Sequence, residues 1–130
     1  MSKYINKEET EKIIKCAYQV HNELGCGFLE KVYKNALIIA LREIGLTVEE
    51  EVPIKVCFHR QCVGEYFADI LVQGSIILEI KAVECLIDIH EIQLKNYLRA
   101  TGIELGLLIN FGDKVEIKRK FVSNTNSLSS

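Results

Sequence analysis

Two apolar segments near the middle of the chain carry three charged residues, and these charges constrain the fold more than any other feature. Asp69 interrupts the segment 66–72, and Glu79 and Lys81 interrupt the segment 76–82. An unpaired charge among buried side chains is energetically expensive, so these side chains need each other, a cation or water. Both segments have the β-branched and alternating pattern of strands, and residues two apart on a strand share a face. Glu79 and Lys81 are therefore expected on one face.

The loop between the two strands decides whether Asp69 lies on that face as well. If the loop comprises residues 73–75, Val72 pairs with Ile76, and counting back places Asp69 directly opposite Glu79. A two-residue loop would turn Asp69 to the other face of the sheet.

Two adjacent carboxylates repel each other, and a hard divalent cation relieves this repulsion. Mg²⁺ or Mn²⁺ is the expected ion, because both prefer oxygen ligands. A lysine beside the carboxylates, Lys81, could orient or help deprotonate an attacking water, or neutralise charge on a phosphoryl group. The alternative is a buried salt bridge between the carboxylates and Lys81, with no chemistry. The spacing alone leaves both interpretations open.

The rest of the chain predicts a single α/β (α+β) domain over residues 1–122. At 130 residues the chain has the usual size of one domain. The expected order is α-α-β-β-β-α-β-β, with helices flanking a mixed sheet and a disordered polar tail over residues 123–130. The predicted segments are helices at 7–25, 28–44 and 88–102, and strands at 47–58, 63–72, 76–83, 103–111 and 114–121. The segment 59–61 is a predicted hairpin turn.

Two of the predicted helices begin with the pattern of a capping box. Asn6 is followed three residues later by Glu9, and Asp88 is followed by Glu91. Such pairs predict that Asn6 and Asp88 are N-caps.

Composition excludes several classes of protein. The net charge of −2 gives no strong overall positive field, so any contact with nucleic acid is expected to be local. The five cysteines are an odd number without a C-x-x-C pair, which argues against zinc, disulfide and iron–sulfur frameworks. No apolar run is long enough for a membrane span, and the expected location is cytoplasmic.

At this point the residues match a known family. Asp69, nine intervening residues, and then Glu79, Ile80 and Lys81 resemble the PD-(D/E)XK nuclease superfamily, with Ala68 in place of the proline. The segment 27–33 has the motif G-x-x-E-x-x-Y, and it resembles the GxxExxY family of small bacterial and archaeal proteins assigned to that superfamily. The resemblance covers nearly the whole chain.

The resemblance implies metal-dependent hydrolysis of DNA or RNA phosphodiester bonds. Asp69 and Glu79 would be metal ligands, and the backbone carbonyl of Ile80 would complete the shell. Lys81 would act on the attacking water, and Glu30 would be a third or water-mediated ligand. The implied cofactor is Mg²⁺ or Mn²⁺, and the implied partner is nucleic acid.

The resemblance also assigns residues to substrate binding. Gln93 and Tyr97 have the Q-x-x-x-Y spacing of RecB-type and lambda-exonuclease-like nucleases, in which these residues flank the site. Tyr33, on the same helix face as Glu30, is assigned to substrate binding as well. The alternative is that Tyr97 is a core aromatic residue and Gln93 its polar neighbour. His21, in the apolar stripe of the first helix, is predicted to be a hydrogen-bonded core histidine.

In a second functional hypothesis, the chain has the nuclease fold but does not catalyse hydrolysis. The chain would then be a catalytically idle nucleic-acid-binding or protein-interaction module, in keeping with its small size and acidic charge. A third possibility is a subunit of an assembly. A homodimer is the expected oligomer for the nuclease, because so small an enzyme would need a second subunit to grip a duplex.

Overall fold

The computed structural model describes residues 6–123, and the elements in this range follow the predicted order. The helices are α1 (Lys7–Leu24), α2 (Glu30–Glu43) and α3 (Asp88–Thr101); the strands are β1 (Val48–Phe58), β2 (Gln61–Val72), β3 (Ile76–Lys81), β4 (Leu105–Phe111) and β5 (Val115–Phe121). The predicted α/β fold class is confirmed. The predicted tail lies outside the described residues from position 124 onward.

The five strands form one mixed sheet in the order β1-β2-β3-β4-β5. Neighbouring strands are antiparallel except β3 and β4, which are parallel and are joined through α3. A parallel pair needs a long crossover connection, and α3 provides it. The sheet is therefore mixed, as the order of segments predicts.

The sheet has a hydrophobic core on each face. Helices α1 and α2 pack on one face and α3 on the other, and β3 contributes to both cores by alternation. Leu78 and Ile80 belong to the core beneath α1 and α2, whereas Ile77 belongs to the core beneath α3. Because residues two apart share a face, Glu79 and Lys81 lie on the α3 side of β3.

The first hairpin, β1 and β2, rotates at one position along its length. Ile70 packs beneath α1 and α2, whereas Ala68, two residues earlier, packs beneath α3. Simple alternation would place both on one face, so the strand turns between them at Asp69. In β1 the residue at this level is Glu51, whose φ of 54° is left-handed. The outer part of the hairpin therefore leans toward α3.

The two hairpin loops differ in their agreement with the prediction. Gln73 to Ser75 form the expected three-residue loop between β2 and β3. The first turn contains only His59 and Arg60, with φ values of 50° and 66°, and Gln61 already begins β2. Two consecutive positive φ values are typical of a two-residue turn that matches the strand twist, which explains the shorter loop.

Asn6 is the N-cap of α1 as predicted, but neither predicted capping box forms. Asn6 precedes α1, but its φ is 64° and its side chain makes no capping hydrogen bond, whereas a side-chain N-cap needs an extended backbone. In α3 the N-cap is Ile87, and Asp88 is already inside the first turn. The N–H of Ile87 donates to Nδ1 of His90 at 3.2 Å, so a histidine makes the reciprocal bond.

Candidate active site

The pairing between β2 and β3 brings the two strand carboxylates together. Val72 pairs with Ile76, and the ladder continues for two further pairs. The next position along the strands sets Asp69 opposite Glu79. The register predicted for a three-residue loop is confirmed.

The two carboxylates take over the hydrogen bonding where the ladder ends. The backbone N–H of Asp69 donates to Oε2 of Glu79 at 3.0 Å, and the N–H of Ile80 donates to Oδ2 of Asp69 at 2.8 Å. Each carboxylate thus satisfies a backbone donor of the facing strand. Each also retains a second oxygen for another partner.

Glu79 is the most strongly perturbed acid of this site. Its side chain is 5% exposed. Burial, followed by the charge of Asp69, raises the pKa of Glu79 to about 8, although the Asp69 N–H and the charge of Lys81 act in the opposite direction. Glu79 therefore retains its proton at neutral pH unless a cation lies beside it.

Lys81 and Glu30 act electrostatically on this pair from two different elements. Lys81 ends β3, and Glu30 is the first residue of α2. Burial raises the pKa of Glu30, Lys81 lowers it and Asp69 raises it again, so Glu30 lies within the field of both residues. The structure brings the four expected catalytic residues into one region.

The alternative role of Lys81 is a structural one, in which it forms a salt bridge with the strand carboxylates. The direct ion pairs in the part of the chain that the structure describes join Lys to Glu at other positions, and Lys81 belongs to none of them. The geometry therefore does not favour a purely structural salt bridge.

Tyr97 approaches the site from α3, and Gln93 lies one helical turn before it. Tyr97 is buried in the core beneath α3, and its ring lies 5.7 Å from that of Tyr66, measured between centroids. Burial, followed by the charges of Glu79 and Asp69, raises the pKa of the Tyr97 hydroxyl to about 12. Gln93 is half-buried and lines the same groove as Tyr97 and Tyr66. Tyr97 is therefore both a core aromatic residue and a neighbour of the carboxylates.

Comparison with known proteins identifies the family. The family model of the PD-(D/E)XK nuclease superfamily matches residues 7–120. The chain belongs to this superfamily. No curated protein matches the chain. Three chains among the solved structures match, one of them described as "Crystal structure of SSO0001". It shares 23% sequence identity with a TM-score of 0.57 over 94% of this chain, and this likeness concerns the fold. The chain spans 61% of the length of that structure.

The chemistry of the donors fits the divalent ion that PD-(D/E)XK nucleases generally use. Asp69 and Glu79 supply hard carboxylate oxygens, and Ile80 adds a peptide carbonyl between Glu79 and Lys81. Within residues 6–123, no group of three or more His, Cys, Asp or Glu side chains is close enough to hold a metal ion. Mg²⁺ commonly binds through one or two carboxylates and keeps several waters, so a shell with two carboxylates is sufficient.

Tyr33 is the one expected substrate-binding residue that the structure places elsewhere. Its side chain is 0% exposed and stacks on Phe111, with 4.8 Å between ring centroids. Its hydroxyl donates to the carbonyl of Gly25 at 2.6 Å and accepts the N–H of Phe28 at 3.2 Å. A buried and fully hydrogen-bonded hydroxyl cannot contact substrate, so the expectation is corrected. Tyr33 instead holds the loop that leads into α2 and Glu30.

Asn110 is a residue of the site's framework that the sequence interpretation missed. It is 0% exposed on β4, and Lys81 is its partner in the parallel register. Its amide oxygen accepts the N–H of Val83 and its amide nitrogen donates to the carbonyl of Val83, both at 2.9 Å, and to Glu116 at 3.0 Å. A polar amide in an otherwise apolar strand was the available signal. Asn110 fixes the chain immediately after Lys81.

A second missed contact joins α2 to the rotation point of the hairpin. Lys34 forms an ion pair with Glu51, the left-handed residue opposite Asp69. Lys34 also lies one helical turn after Glu30. Its charge lowers the pKa of Glu30, although burial, Lys81 and Asp69 each have a larger effect on that pKa. This contact ties the N-terminal part of α2 to the strands that carry the site.

His21 has the structural role that its position predicts. Its Nε2 lies 2.8 Å from the carbonyl oxygen of Gly112, and its ring stacks near Phe111. His21 is half-buried and hydrogen-bonded across the fold, which joins α1 to the end of β4.

Among the described residues, no helix is long and apolar enough to cross a bilayer.

Proposed function

We propose that the chain is a metal-dependent nuclease that hydrolyses phosphodiester bonds of DNA or RNA. The observation that carries the proposal is the placement of Asp69 against Glu79 at the point where the strand ladder ends. Membership of the PD-(D/E)XK nuclease superfamily supports the same chemistry. The electrostatic reach of Lys81 and Glu30 adds the remaining groups that such a reaction uses.

The roles follow from the chemistry of each group. Asp69, Glu79 and the carbonyl of Ile80 would hold Mg²⁺ or Mn²⁺, which when bound supplies Lewis-acid stabilisation of phosphoryl charge. Lys81 donates a hydrogen bond that orients the attacking water, and its ammonium compensates negative charge on the phosphate. Glu30, exposed and at the start of α2, takes part through a water molecule.

We also propose that the chain is a member of the GxxExxY family. The three named positions of this motif have distinct physical roles here. Gly27 has a φ of 101°, which a side chain would disfavour, and it permits the turn before α2. Glu30 approaches the carboxylates, and Tyr33 anchors the turn through its hydroxyl.

The idle binding module remains the competing function, and it differs in one measurable respect. It would bind nucleic acid without breaking phosphodiester bonds in the presence of Mg²⁺ or Mn²⁺. The homodimer and the cytoplasmic location stay predictions; light scattering after size-exclusion chromatography tests the former.

The proposal is tested by metal binding and cleavage measured together. Calorimetric titration with Mn²⁺ and Mg²⁺ is compared for the wild type, Asp69→Asn and Glu79→Gln, with Glu49→Gln, an exposed glutamate of β1, as the control. The proposal expects both metal binding and cleavage of mixed DNA and RNA to be lost in the two site variants only. A folded wild type that binds neither ion overturns it. Metal binding with no cleavage of any substrate favours the idle module.

A further inference from the structure

An open groove lies between α3 and the outer part of the first hairpin. Its volume is about 740 Å³. The wall on α3 includes Gln93, Asn96 and Arg99, and the wall on the hairpin includes Lys55 and Tyr66. The groove exists because the hairpin rotates toward α3 at Asp69, which leaves the outer part of β2 unpaired on the side away from β1.

The groove adjoins the candidate active site at Tyr97. Tyr97 lines it and packs in one hydrophobic core with Ala68, the residue before Asp69, and with Ile77, two residues before Glu79. Gln93 lies one helical turn before Tyr97 on the same helix face. A ligand that occupies the groove therefore lies against Tyr97, on the α3 side of the sheet that also carries Glu79.

The charge of the groove is opposite to that of the molecule as a whole. The chain has a net charge of −2. The residues that line the groove include the two cations Lys55 and Arg99 and no aspartate or glutamate. Glu65, which pairs with Lys55 across the hairpin, is exposed but lies outside the lining. This charge distribution complements a polyanion.

The other lining groups fit the faces and edges of nucleobases. Tyr66 is 48% exposed, and its ring packs beside that of Tyr97, so one aromatic surface remains available. Ile92 and Val63, 50% and 64% exposed, add apolar surface. Gln93 and Asn96 carry side-chain amides, which can both donate to and accept from base edges.

We propose that this groove binds an unpaired segment of nucleic acid and leads it to the carboxylate site. The inference rests on the proposed function and adds the substrate class: a single strand or an unpaired end. In a duplex, both faces of each base are covered by stacking, whereas an unpaired base can stack on a tyrosine ring. Arg99 binds the sugar–phosphate backbone, and Gln93 and Asn96 contact the bases.

Cys57 provides a native probe, because its thiol belongs to a residue of the groove lining. The full chain, in reductant and EDTA, is treated with iodoacetamide with and without an oligodeoxythymidylate of about 12 nucleotides, a length in the range of known single-strand sites. Peptide mass spectrometry then reports each cysteine separately. The proposal expects slower alkylation of Cys57 and unchanged alkylation of Cys26, which is exposed elsewhere.

Variants test the two kinds of contact. Fluorescence anisotropy in EDTA measures the affinity for the same oligonucleotide without cleavage. Tyr66→Ala is expected to weaken binding about tenfold, the loss of one stacked base, and Tyr66→Phe to preserve it. Tyr18→Ala, a tyrosine on α1 with the same 48% exposure, is the matched control. Arg99→Ala is expected to reduce the slope of log affinity against log salt by about 0.7.

The outcomes separate the groove from the nuclease site. Protection of Cys57 by the single strand but not by a blunt duplex, together with the effect of Tyr66→Ala, supports the proposal. No protection, equal protection by the duplex, or equal effects of Tyr66→Ala and Tyr18→Ala overturns it, even if cleavage with Mn²⁺ is intact. If the groove binds the oligonucleotide but the protein does not cleave it, only the proposed nuclease function is contradicted, because binding is measured without metal.

Discussion

Asp69 and Glu79 lie on facing strands, and Glu79 accepts through Oε2 the backbone N–H of Asp69 at 3.0 Å. The Asp69 carboxylate in turn accepts the N–H of Ile80, beside Glu79, at 2.8 Å. These side chains replace ladder bonds that the strands no longer make beyond Ile70. The carboxylates are thus held by backbone donors, at the cost of placing the buried Glu79 beside a second acid.

This arrangement predicts that the metal-free protein loses stability as pH rises. The pKa of Glu79 is raised from 4.5 to about 8 in the fold, so the native state retains a proton that the unfolded state releases. Below about pH 4.5 Glu79 is protonated in both states and does not lower the unfolding free energy. Between about pH 4.5 and 8 the unfolding free energy falls as pH rises, and above about pH 8 it falls no further on account of this group. We expect Glu79→Gln to raise the unfolding free energy at pH 8.5 by on the order of 2 to 4 kcal/mol, and to flatten its pH dependence.

Urea denaturation in EDTA between pH 5 and 9 measures this effect. The control is Glu49→Gln, which removes an exposed carboxylate from β1 and should leave the pH dependence of the wild type unchanged. Equal pH profiles for the wild type and Glu79→Gln would contradict the buried, like-charged pair. Addition of Mg²⁺ should stabilise the wild type more than the variant, because only the former retains both carboxylates.

Lys81 should be separable from metal binding. Because it makes no direct ion pair with Asp69 or Glu79 in the described part of the chain, its removal should leave the donor set for the ion intact. We expect Lys81→Ala to reduce cleavage about 10²- to 10⁴-fold, the usual range for a group that assists proton transfer. Calorimetry should show Mn²⁺ affinity close to that of the wild type.

Lys15→Ala, on the exposed face of α1, is the control for loss of one positive charge. A variant at position 81 that loses metal binding along with activity would show that Lys81 instead organises the carboxylates. Unchanged cleavage by Lys81→Ala would remove it from the mechanism.

The part of this site that could be predicted was the part determined by strand periodicity. Alternation and a three-residue loop left one register with Asp69 opposite Glu79, and the observed pairing agrees. The reciprocal backbone bonds could not be predicted, because they exist only where the ladder ends. That end depends on the rotation of the hairpin at Glu51, and a left-handed glutamate has no reliable sequence signal.

The contacts that polar side chains make with residues distant in the sequence could not be predicted either. The sequence predicts a substrate contact for Tyr33 because this residue shares a helix face with Glu30, a position that is consistent with either surface or core. Its burial against Phe111, more than seventy positions later, is a tertiary fact. The role of Asn110 does not follow from the sequence, because its partner Val83 lies in an irregular segment whose path the sequence does not specify.

Asn110 should be essential for stability and for the position of the segment after Lys81. Asn110→Leu preserves approximate side-chain volume but leaves the N–H and carbonyl of Val83 without their partner. We expect a loss of about 2 to 4 kcal/mol in unfolding free energy, since two partly buried backbone groups lose hydrogen bonds to a fully buried side chain. Urea denaturation gives the loss, and hydrogen exchange should show faster exchange of the Val83 amide.

Asn35→Leu, on the exposed face of α2, is the matched control and should change stability by less than about 0.5 kcal/mol. If Asn110→Leu were as stable as this control, the bonds to Val83 would have no energetic weight. Protection of the Val83 amide in the variant would contradict the positional role even if stability fell.

Tyr33→Phe distinguishes an anchor from a substrate contact. The variant keeps the stack on Phe111 and removes only the hydroxyl, which bonds Gly25 and Phe28. As an anchor, Tyr33 should contribute about 1 to 2 kcal/mol to unfolding free energy through these bonds. Its loss should loosen the turn before Glu30 and lower kcat, with little change in the affinity for oligonucleotide.

A substrate contact would show the opposite pattern, with weaker binding of the oligonucleotide at unchanged stability. Tyr18→Phe removes a hydroxyl from a half-exposed tyrosine on α1 and should change neither quantity. The side chain of Tyr33 is fully buried. Any effect of Tyr33→Phe on turnover must therefore act through the backbone of the turn. Glu30 is the nearest site residue along that path, and Glu30→Gln combined with Tyr33→Phe should therefore lower kcat by less than the product of the two single effects.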